Sequence, residues 1–312
     1  AVSILLSVIL PVFLVIGAGY LAARRGLLSA EGVDGLTWFA QGVALPGLLF
    51  AGMARLDLST VFDPALIGTF YVAATACFLI GVAGARLIFG RPWEDAVAIG
   101  FVTFFSNSLL LGVPITERAF GPEAIASNLA IIALHSPFCY LVGIAAMEVA
   151  RAGGAGRGVL GVPWQVVRTM ARNPFIVAIA LGLAANVTDL PLPRAVWDAV
   201  DMLARAGIPA ALFGLGGVLA RYRPEGDMAT ILFVVALSLL LQPAIALGLG
   251  GMVGLDQAPL RSAVVTAAMA PGVNAYLFAS MYGRATRVAA SAVLVGTGLT
   301  MVTGAFWLWV LR

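Results

Sequence analysis

Ten apolar runs, each of about 20 residues, follow one another along the chain with only short breaks rich in Gly, Pro and Arg between them. Lipid offers no partner to an exposed N–H or C=O group, so a run of that length must close its backbone hydrogen bonds within itself, as a membrane-crossing helix does. The runs fall at about 3 to 23, 33 to 53, 63 to 89, 94 to 119, 124 to 150, 164 to 186, 195 to 220, 227 to 253, 259 to 283 and 285 to 311, and are numbered here as spans 1 to 10. With 61% of its 312 residues hydrophobic and only 11% charged, the chain has nothing left from which to build a sizeable soluble domain. The expected fold is all-α and polytopic, with ten transmembrane helices.

The formal net charge is +3, and every one of the 18 basic residues is Arg. In a soluble chain such a balance raises nucleic acid as a partner. Here the arginines stand singly or in pairs between apolar runs, where they are topology signals, and no nucleic-acid partner is expected. Connections 1–2, 3–4, 5–6, 7–8 and 9–10 carry twelve of them, whereas the alternate connections and the C-terminus carry five. By the positive-inside rule the linker from Arg151 to Pro163 is cytoplasmic and both termini lie outside, in what we expect to be a bacterial inner membrane. Trp38, Trp93, Trp164, Trp197, Trp307 and Trp309 all fall near proposed span ends, as an interfacial belt would place them. The first run lacks a basic n-region and is followed at once by another span, so it reads as span 1 and not as a cleaved signal. Cys77 and Cys139 sit inside apolar runs with no second Cys at metal-ligand spacing, and read as packing residues.

The two halves look like copies. Ala44-Leu45-Pro46-Gly47-Leu48-Leu49-Phe50 matches Gly207-Ile208-Pro209-Ala210-Ala211-Leu212-Phe213 at an offset of 163, which also carries Pro11 onto Pro174. An offset of 167 carries Pro92 onto Pro259, Ala96 onto Ala263, Val97 onto Val264 and Asn107 onto Asn274. Matches in the same order along both halves point to a duplication, with residues 1–150 as the first five-helix repeat, 151–163 as a cytoplasmic linker and 164–312 as the second repeat. Five spans is an odd number, so the second copy enters the membrane from the opposite face and the repeat is inverted.

Spans 4 and 9 carry polar interruptions: Phe104-Phe105-Ser106-Asn107-Ser108-Leu109-Leu110-Leu111-Gly112-Val113-Pro114 in one, Met269-Ala270-Pro271-Gly272-Val273-Asn274-Ala275-Tyr276 in the other. Unwound chain at membrane depth is tolerated only where protein or a wet cavity receives its backbone, and discontinuous helices in matching positions of two repeats point to a transporter's binding site. Gly112, Pro114 and Pro271 are the expected helix breakers. Beyond each break the second half-helix starts with free N–H groups and the positive end of its dipole, a ready anion site. Ser106, Asn107, Ser108, Gly272 and Asn274 add donors and acceptors without net charge, which suits a carboxylate. The bland alternative is that these residues only cap the broken helices, and that Pro114 marks a simple kink.

His135 is the only histidine. At mid-span it suits proton coupling, or equally a neutral imidazole bonded to a neighbouring helix. Tyr140, five residues on, reads either as a ligand-facing hydroxyl or as packing. Asp201 and Arg205 have the i, i+4 spacing of an internal ion pair. Gln41 and Gln242 line a path or bond a neighbouring backbone. Glu94, Asp95 and Glu148 read as interfacial. There is no His-Glu-x-x-His, Gly-x-Ser-x-Gly, P-loop or pair of intramembrane aspartates, so neither an enzyme nor an ATP-driven pump is expected, and no cofactor or metal.

At these residues the chain resembles the auxin efflux carrier family, which includes the plant PIN auxin exporters and bacterial carriers of malonate and similar acids. Ser-Asn-Ser-Leu-Leu-Leu-Gly-Val-Pro at 106–114 is similar to the family's Pro-Asn-x-x-x-x-Gly-x-Pro; Ala-Pro-Gly-Val-Asn-Ala-Tyr at 270–276 and Arg-Asn-Pro at 172–174 match bacterial members. The resemblance implies the crossed-helix fold of sodium/proton antiporters and bile acid transporters. Spans 1, 2, 6 and 7 would form a scaffold and homodimer surface, with spans 3 to 5 and 8 to 10 as a transport domain moving like an elevator. It implies further that Asn107 and Asn274 flank a substrate carboxylate and that His135 and Tyr140 border the pocket. Two departures stand out: Ser106 replaces the family's crossover proline, and span 3 lacks the internal acid of plant members. The reading is a secondary carrier of small organic anions; the alternatives are a sodium-coupled symporter of the bile acid type and a sensor or channel without stoichiometric transport.

Overall fold

The computed structural model describes residues 5–56, 63–151, 171–172, 174–222 and 227–312; most of the expected linker, the start of span 6 and Trp164 lie outside the described residues. In chain order the helices are α1 (Ser7–Arg24), α2 (Ala30–Ala54), α3 (Pro64–Leu87), α4 (Trp93–Phe104), α5 (Val113–Phe120), α6 (Pro122–Arg151), α7 (Pro174–Val187), α8 (Arg194–Leu219), α9 (Met228–Met252), α10 (Gln257–Ala267), α11 (Val273–Tyr282) and α12 (Thr286–Val310). Among the described residues, seven of these, α1, α2, α3, α6, α8, α9 and α12, are long and apolar enough to cross a membrane. The protein is a polytopic helical membrane protein.

Proline shapes the long helices in a regular way. The turns Leu5–Ile9, Ala40–Ala44, Ser108–Gly112 and Leu237–Leu241 are π-helical, and each ends two residues before a proline, respectively Pro11, Pro46, Pro114 and Pro243. Proline has no N–H for the carbonyl four residues back, and its ring collides with that carbonyl. Widening the preceding turn by one residue relieves the clash without breaking the helix. Pro114 is one of these, so it follows a widened turn instead of making a plain kink.

α3 and α9 begin alike. The Asp63 carboxylate accepts the Ala65 N–H at 2.8 Å, and the Asp227 carboxylate accepts the Ala229 N–H at 3.0 Å and the Thr230 hydroxyl at 2.7 Å. That hydroxyl bond, with the cap N–H groups and Arg91, holds the Asp227 carboxyl below its usual range. The two caps stand 227 − 63 = 164 residues apart, between the two offsets of the sequence repeat.

The chain divides into two compact units. Unit 2 (Leu10–Phe62, Arg168–Arg221) holds α1, α2, α7 and α8. α8 closes on α1 through Gly19 and Gly216: a methyl on Gly19 would strike the Phe213 carbonyl, and one on Gly216 the Ile16 carbonyl. Gly182 lets α7 meet the Phe50 backbone in the same way. This is packing by small residues, the usual glue of helices in lipid. The Asn186 carboxamide donates to the carbonyls of Met53 (3.0 Å), Ala54 (3.1 Å) and Leu56 (2.8 Å), satisfying the end of α2. Asp201 does not pair within α8 as its spacing with Arg205 suggests. It takes a two-pronged bond from Arg55, at 2.9 and 3.0 Å, and Arg55 also lies over the Trp197 ring at 4.4 Å. A planar guanidinium fork matches a carboxylate better than a single i, i+4 contact does.

Unit 1 (Ala1–Ile9, Asp63–Val167, Tyr222–Arg312) holds the other helices. α3 and α4 approach through Gly81 and Gly100, where a methyl would meet Thr103 or Val82. Its core is aromatic: Phe101 stacks on Phe278 with centroids 3.8 Å apart and planes 3° from parallel. Trp307 departs from the expected interfacial belt. It is buried, and its indole N–H donates at 2.8 Å to the Leu239 carbonyl inside the π turn of α9. Trp38, Trp93 and Trp309 are exposed.

Candidate functional site

Both breaks anticipated in spans 4 and 9 are present. α4 stops at Phe104 and helical geometry resumes only at Ser108; α10 stops at Ala267 and α11 starts at Val273. Within unit 1 the two unwound segments lie side by side as an antiparallel bridge between Ser106 and Pro271. The Asn107 N–H donates to the Ala270 carbonyl at 2.8 Å, and the Gly272 N–H donates to the Phe105 carbonyl at 2.9 Å. Ser106 and Pro271 face each other in the slot between these bonds, so the missing N–H of proline leaves nothing unpaired. Each break satisfies the backbone freed by the other.

That pairing uses the amides of Asn107 and Gly272. The donors left for a guest are therefore the next ones along, the N–H groups from Ser108 to Leu110 and those of Val273 and Asn274; Leu111 and Gly112 already donate to the Asn107 carbonyl and Ala275 to that of Gly272. The side chains are differently placed. Ser106, Asn107 and Ser108 are buried, and among the described residues neither the Ser106 hydroxyl nor the Asn107 amide nitrogen has a hydrogen-bond partner. An orphan of this kind costs about 1–3 kcal/mol, which a polar guest would recover. Asn274 is half-buried in the first turn of α11. Gly272 and Gly112 have room for a methyl, whose nearest neighbours would lie at 3.5 and 3.6 Å, and both have backbone angles open to any residue, so neither position demands glycine. Gly112 is not the helix breaker expected of it: it lies inside the helical stretch that resumes at Ser108.

α6 brings its two expected residues to the same place. His135 is buried, its ring 4.7 Å from that of Phe105 and 5.7 Å from that of Phe70; Nδ1 faces Cys139 Sγ at 3.8 Å, and Nε2 has no hydrogen-bond partner among the described residues. Tyr140 lies 5.9 Å from Phe105 and 5.6 Å from Phe101, centroid to centroid. Phe105 is the residue whose carbonyl receives Gly272, so Ser106, Asn107, His135, Tyr140, Pro271 and Gly272 form one cluster around it. Ser108, Gly112 and Pro114 continue from it along α5, and Asn274 along α11.

One feature escapes a reading of the sequence. Asn128 of α6 is fully buried, and its amide nitrogen donates to the hydroxyls of Thr116 on α5 (3.3 Å) and Thr266 on α10 (2.8 Å), tying together halves of both broken spans. Its only sequence signal is a polar residue inside an apolar run. Gln242, singled out in the sequence as a path-lining or backbone-bonding residue, is fully buried at the start of the second part of α9, and among the described residues neither its carbonyl oxygen nor its nitrogen has a partner. It does not bond a neighbouring backbone. Thr69 and Thr297 add two more orphan hydroxyls to unit 1.

A family model described as Membrane transport protein matches residues 4–156 and 159–308. A provisionally named malonate transporter of Rhizobium meliloti (strain 1021) is 28% identical over 98% of this chain and 95% of its own length. Auxin efflux carrier component 5 of Arabidopsis thaliana is 25% identical over 77% of this chain and 79% of its own length. The Lysosomal cholesterol signaling protein of Mus musculus is 25% identical over 77% of this chain but only 29% of its own length.

Proposed function

We propose, from the premise that this chain belongs to the membrane transport protein family of the auxin efflux carriers, that it is a secondary carrier of small organic anions, carboxylates first among them. The observation that carries the reading is the pair of unwound segments bonded to each other inside unit 1, with the Ser106 hydroxyl and the Asn107 amide nitrogen buried beside them and without a partner among the described residues. Two half-helix N-termini and neutral donors at one spot bind a carboxylate without the desolvation cost of a buried cation. The malonate and auxin named for two relatives are the acids to try first.

In this reading the ten spans form two inverted repeats, 1–150 and 164–312. The matching caps at Asp63 and Asp227 and the matching breaks at Asn107 and Asn274 support it. Unit 1 travels with the bound anion, elevator fashion, while unit 2 stays fixed in the bilayer and forms a homodimer surface. The division of the chain into these two units supports the assignment. Both termini would face outward from a bacterial inner membrane.

The test is flux. Purified protein in liposomes should take up labelled malonate or an indole acid saturably, and Asn107→Ala or Asn274→Ala should slow it about tenfold or more, the worth of one hydrogen bond to a charged group. Parent-like uptake by both variants would refute the site. Saturable binding without flux would favour a sensor, a reading to which the name of the mouse relative lends weight. Uptake that requires sodium would favour the sodium-coupled alternative.

A further inference from the structure

α3 packs closely on α4, and α6 stands off from α3, leaving an apolar groove on unit 1. The groove consists of two hollows of about 760 and 620 Å³. Ile67, Gly68, Val72, Thr75, Leu134 and Phe138 are among the residues lining the first, and Val82, Trp93, Val97, Ala146 and Val149 among those lining the second. Leu79 lines both, so the hollows meet. α3 and α6 run in the same direction here, and at a rise of about 1.5 Å per residue the stretch from Ile67 to Val82 covers about 22 Å, more than one leaflet of a hydrocarbon core about 30 Å thick. Small residues keep it hollow: Gly68 on α3, and Ala145, Ala146 and Ala150 on α6.

The walls suit a hydrocarbon and nothing polar. No charged side chain lines either hollow, and the Tyr71 hydroxyl at the rim is already bonded to the Ile131 carbonyl at 2.7 Å. The mouth is different. Trp93 stands there, with the Arg86 guanidinium 5.4 Å from its ring. Neighbouring arginines are engaged: Arg91 pairs with Asp227 at 3.3 Å, Arg151 with Glu94 at 3.9 Å, and Arg284 with Glu94. Arg86 is exposed, donates to the Arg91 carbonyl at 3.0 Å, and makes no ion pair among the described residues. A tryptophan marks headgroup depth, and an arginine without an acid at that depth is complementary to a phosphate.

We propose that this groove is a binding site for one anionic phospholipid, an acyl chain lying along α3 and α6 and the phosphate against Arg86. The site is separate from the carried anion, and its test does not depend on transport.

The experiment uses full-length protein in neutral detergent, with lipid retention followed by native mass spectrometry and melting temperature alongside. The probes are phosphatidylglycerol, phosphatidylcholine with the same chains, and glycerol phosphate. Phosphatidylglycerol should be retained and raise the melting temperature, phosphatidylcholine less so, and glycerol phosphate should do nothing. Arg86→Ala should weaken phosphatidylglycerol about fivefold, to the level of phosphatidylcholine, the worth of one surface arginine against an anionic headgroup. Ala146→Phe should fill the hollow and lose both lipids; if that variant does not fold, Thr75→Phe fills the other hollow and serves instead. Equal retention of the two lipids by parent and Arg86→Ala would overturn the proposal. So would a response to glycerol phosphate alone, or a groove-filling variant that keeps its lipid and instead loses dimer, which would put a second copy in the groove.

Discussion

Unit 1 and unit 2 are built from the same apolar vocabulary and buried in opposite ways. Every buried Ser, Thr, Asn, Gln or His side chain among the described residues, sixteen in all, belongs to unit 1; unit 2 has none. Unit 2 closes its helices through Gly19, Gly182 and Gly216, each so near a facing carbonyl that a methyl would not fit; unit 1 has a looser approach of the same kind, Gly100 against the Phe78 carbonyl. In lipid there is no hydrophobic force between helices, so such close van der Waals packing is what makes a rigid body. Unit 1 keeps hydroxyls and carboxamides inside it, several without partners, and an orphan is tolerated only where something else satisfies it part of the time. On the function proposed above, the contrast would separate a body that holds shape from one that holds a guest, so that different residues matter for stability and for transport.

The strongest way to break the comparison is at Gly216. Gly216→Ala should destabilise the protein by about 1–3 kcal/mol, because the methyl meets the Ile16 backbone and not a movable side chain. Gly17→Ala on the same helix as Ile16 has open space and should leave stability unchanged or raise it, by up to about 1 kcal/mol from helix propensity. Melting temperature in detergent reads both. If the two variants behaved alike, unit 2 would not be held by close approach. Transport per folded molecule should be unaffected by either.

Asn128→Ala tests the same point inside unit 1 and should cost less. It removes two hydrogen bonds, to Thr116 and Thr266, and interhelical bonds of this kind in membranes average about 0.6 kcal/mol each. A loss near 1 kcal/mol by melting temperature is expected. A loss larger than that of Gly216→Ala would mean that unit 1 depends on its polar residues for its shape, and the division of labour would fail.

Much of this was legible beforehand, for a physical reason. Proline and polar residues act on their own backbone, so Ser106-Asn107 and Pro271-Gly272 announced breaks that the structure places within a residue or two. The π turns are local too, since each precedes a proline, although the apolar pattern alone carries no trace of them. Partnerships across the chain were not legible. Nothing in the spacing of Asp201 and Arg205 says that Arg55, 146 residues away, presents the better fork. Nor does a tryptophan two residues from Trp309 signal that Trp307 turns inward to a widened turn of α9. Such choices are made by packing, where a neighbour on another helix outcompetes one on the same helix, and that competition leaves no mark on the pattern of residues.

The smallest expected effect on stability is the sharpest test of the contrast, and it falls on Gln242. With neither end of its carboxamide bonded, Gln242 contributes nothing from hydrogen bonding and bears the cost of two buried orphans. Gln242→Met keeps the length and the unbranched shape while removing both polar atoms, so the melting temperature should stay within experimental error or rise. If the carboxamide serves the guest, uptake per folded protein should fall although the fold has gained. A variant that melts lower by as much as Gly216→Ala would show that Gln242 is bonded in the folded protein, and its burial would then be structural like that of Asn128. A variant that melts higher and transports at the parental rate would show that the Gln242 carboxamide does not serve the guest, while leaving the distinction between the two units intact.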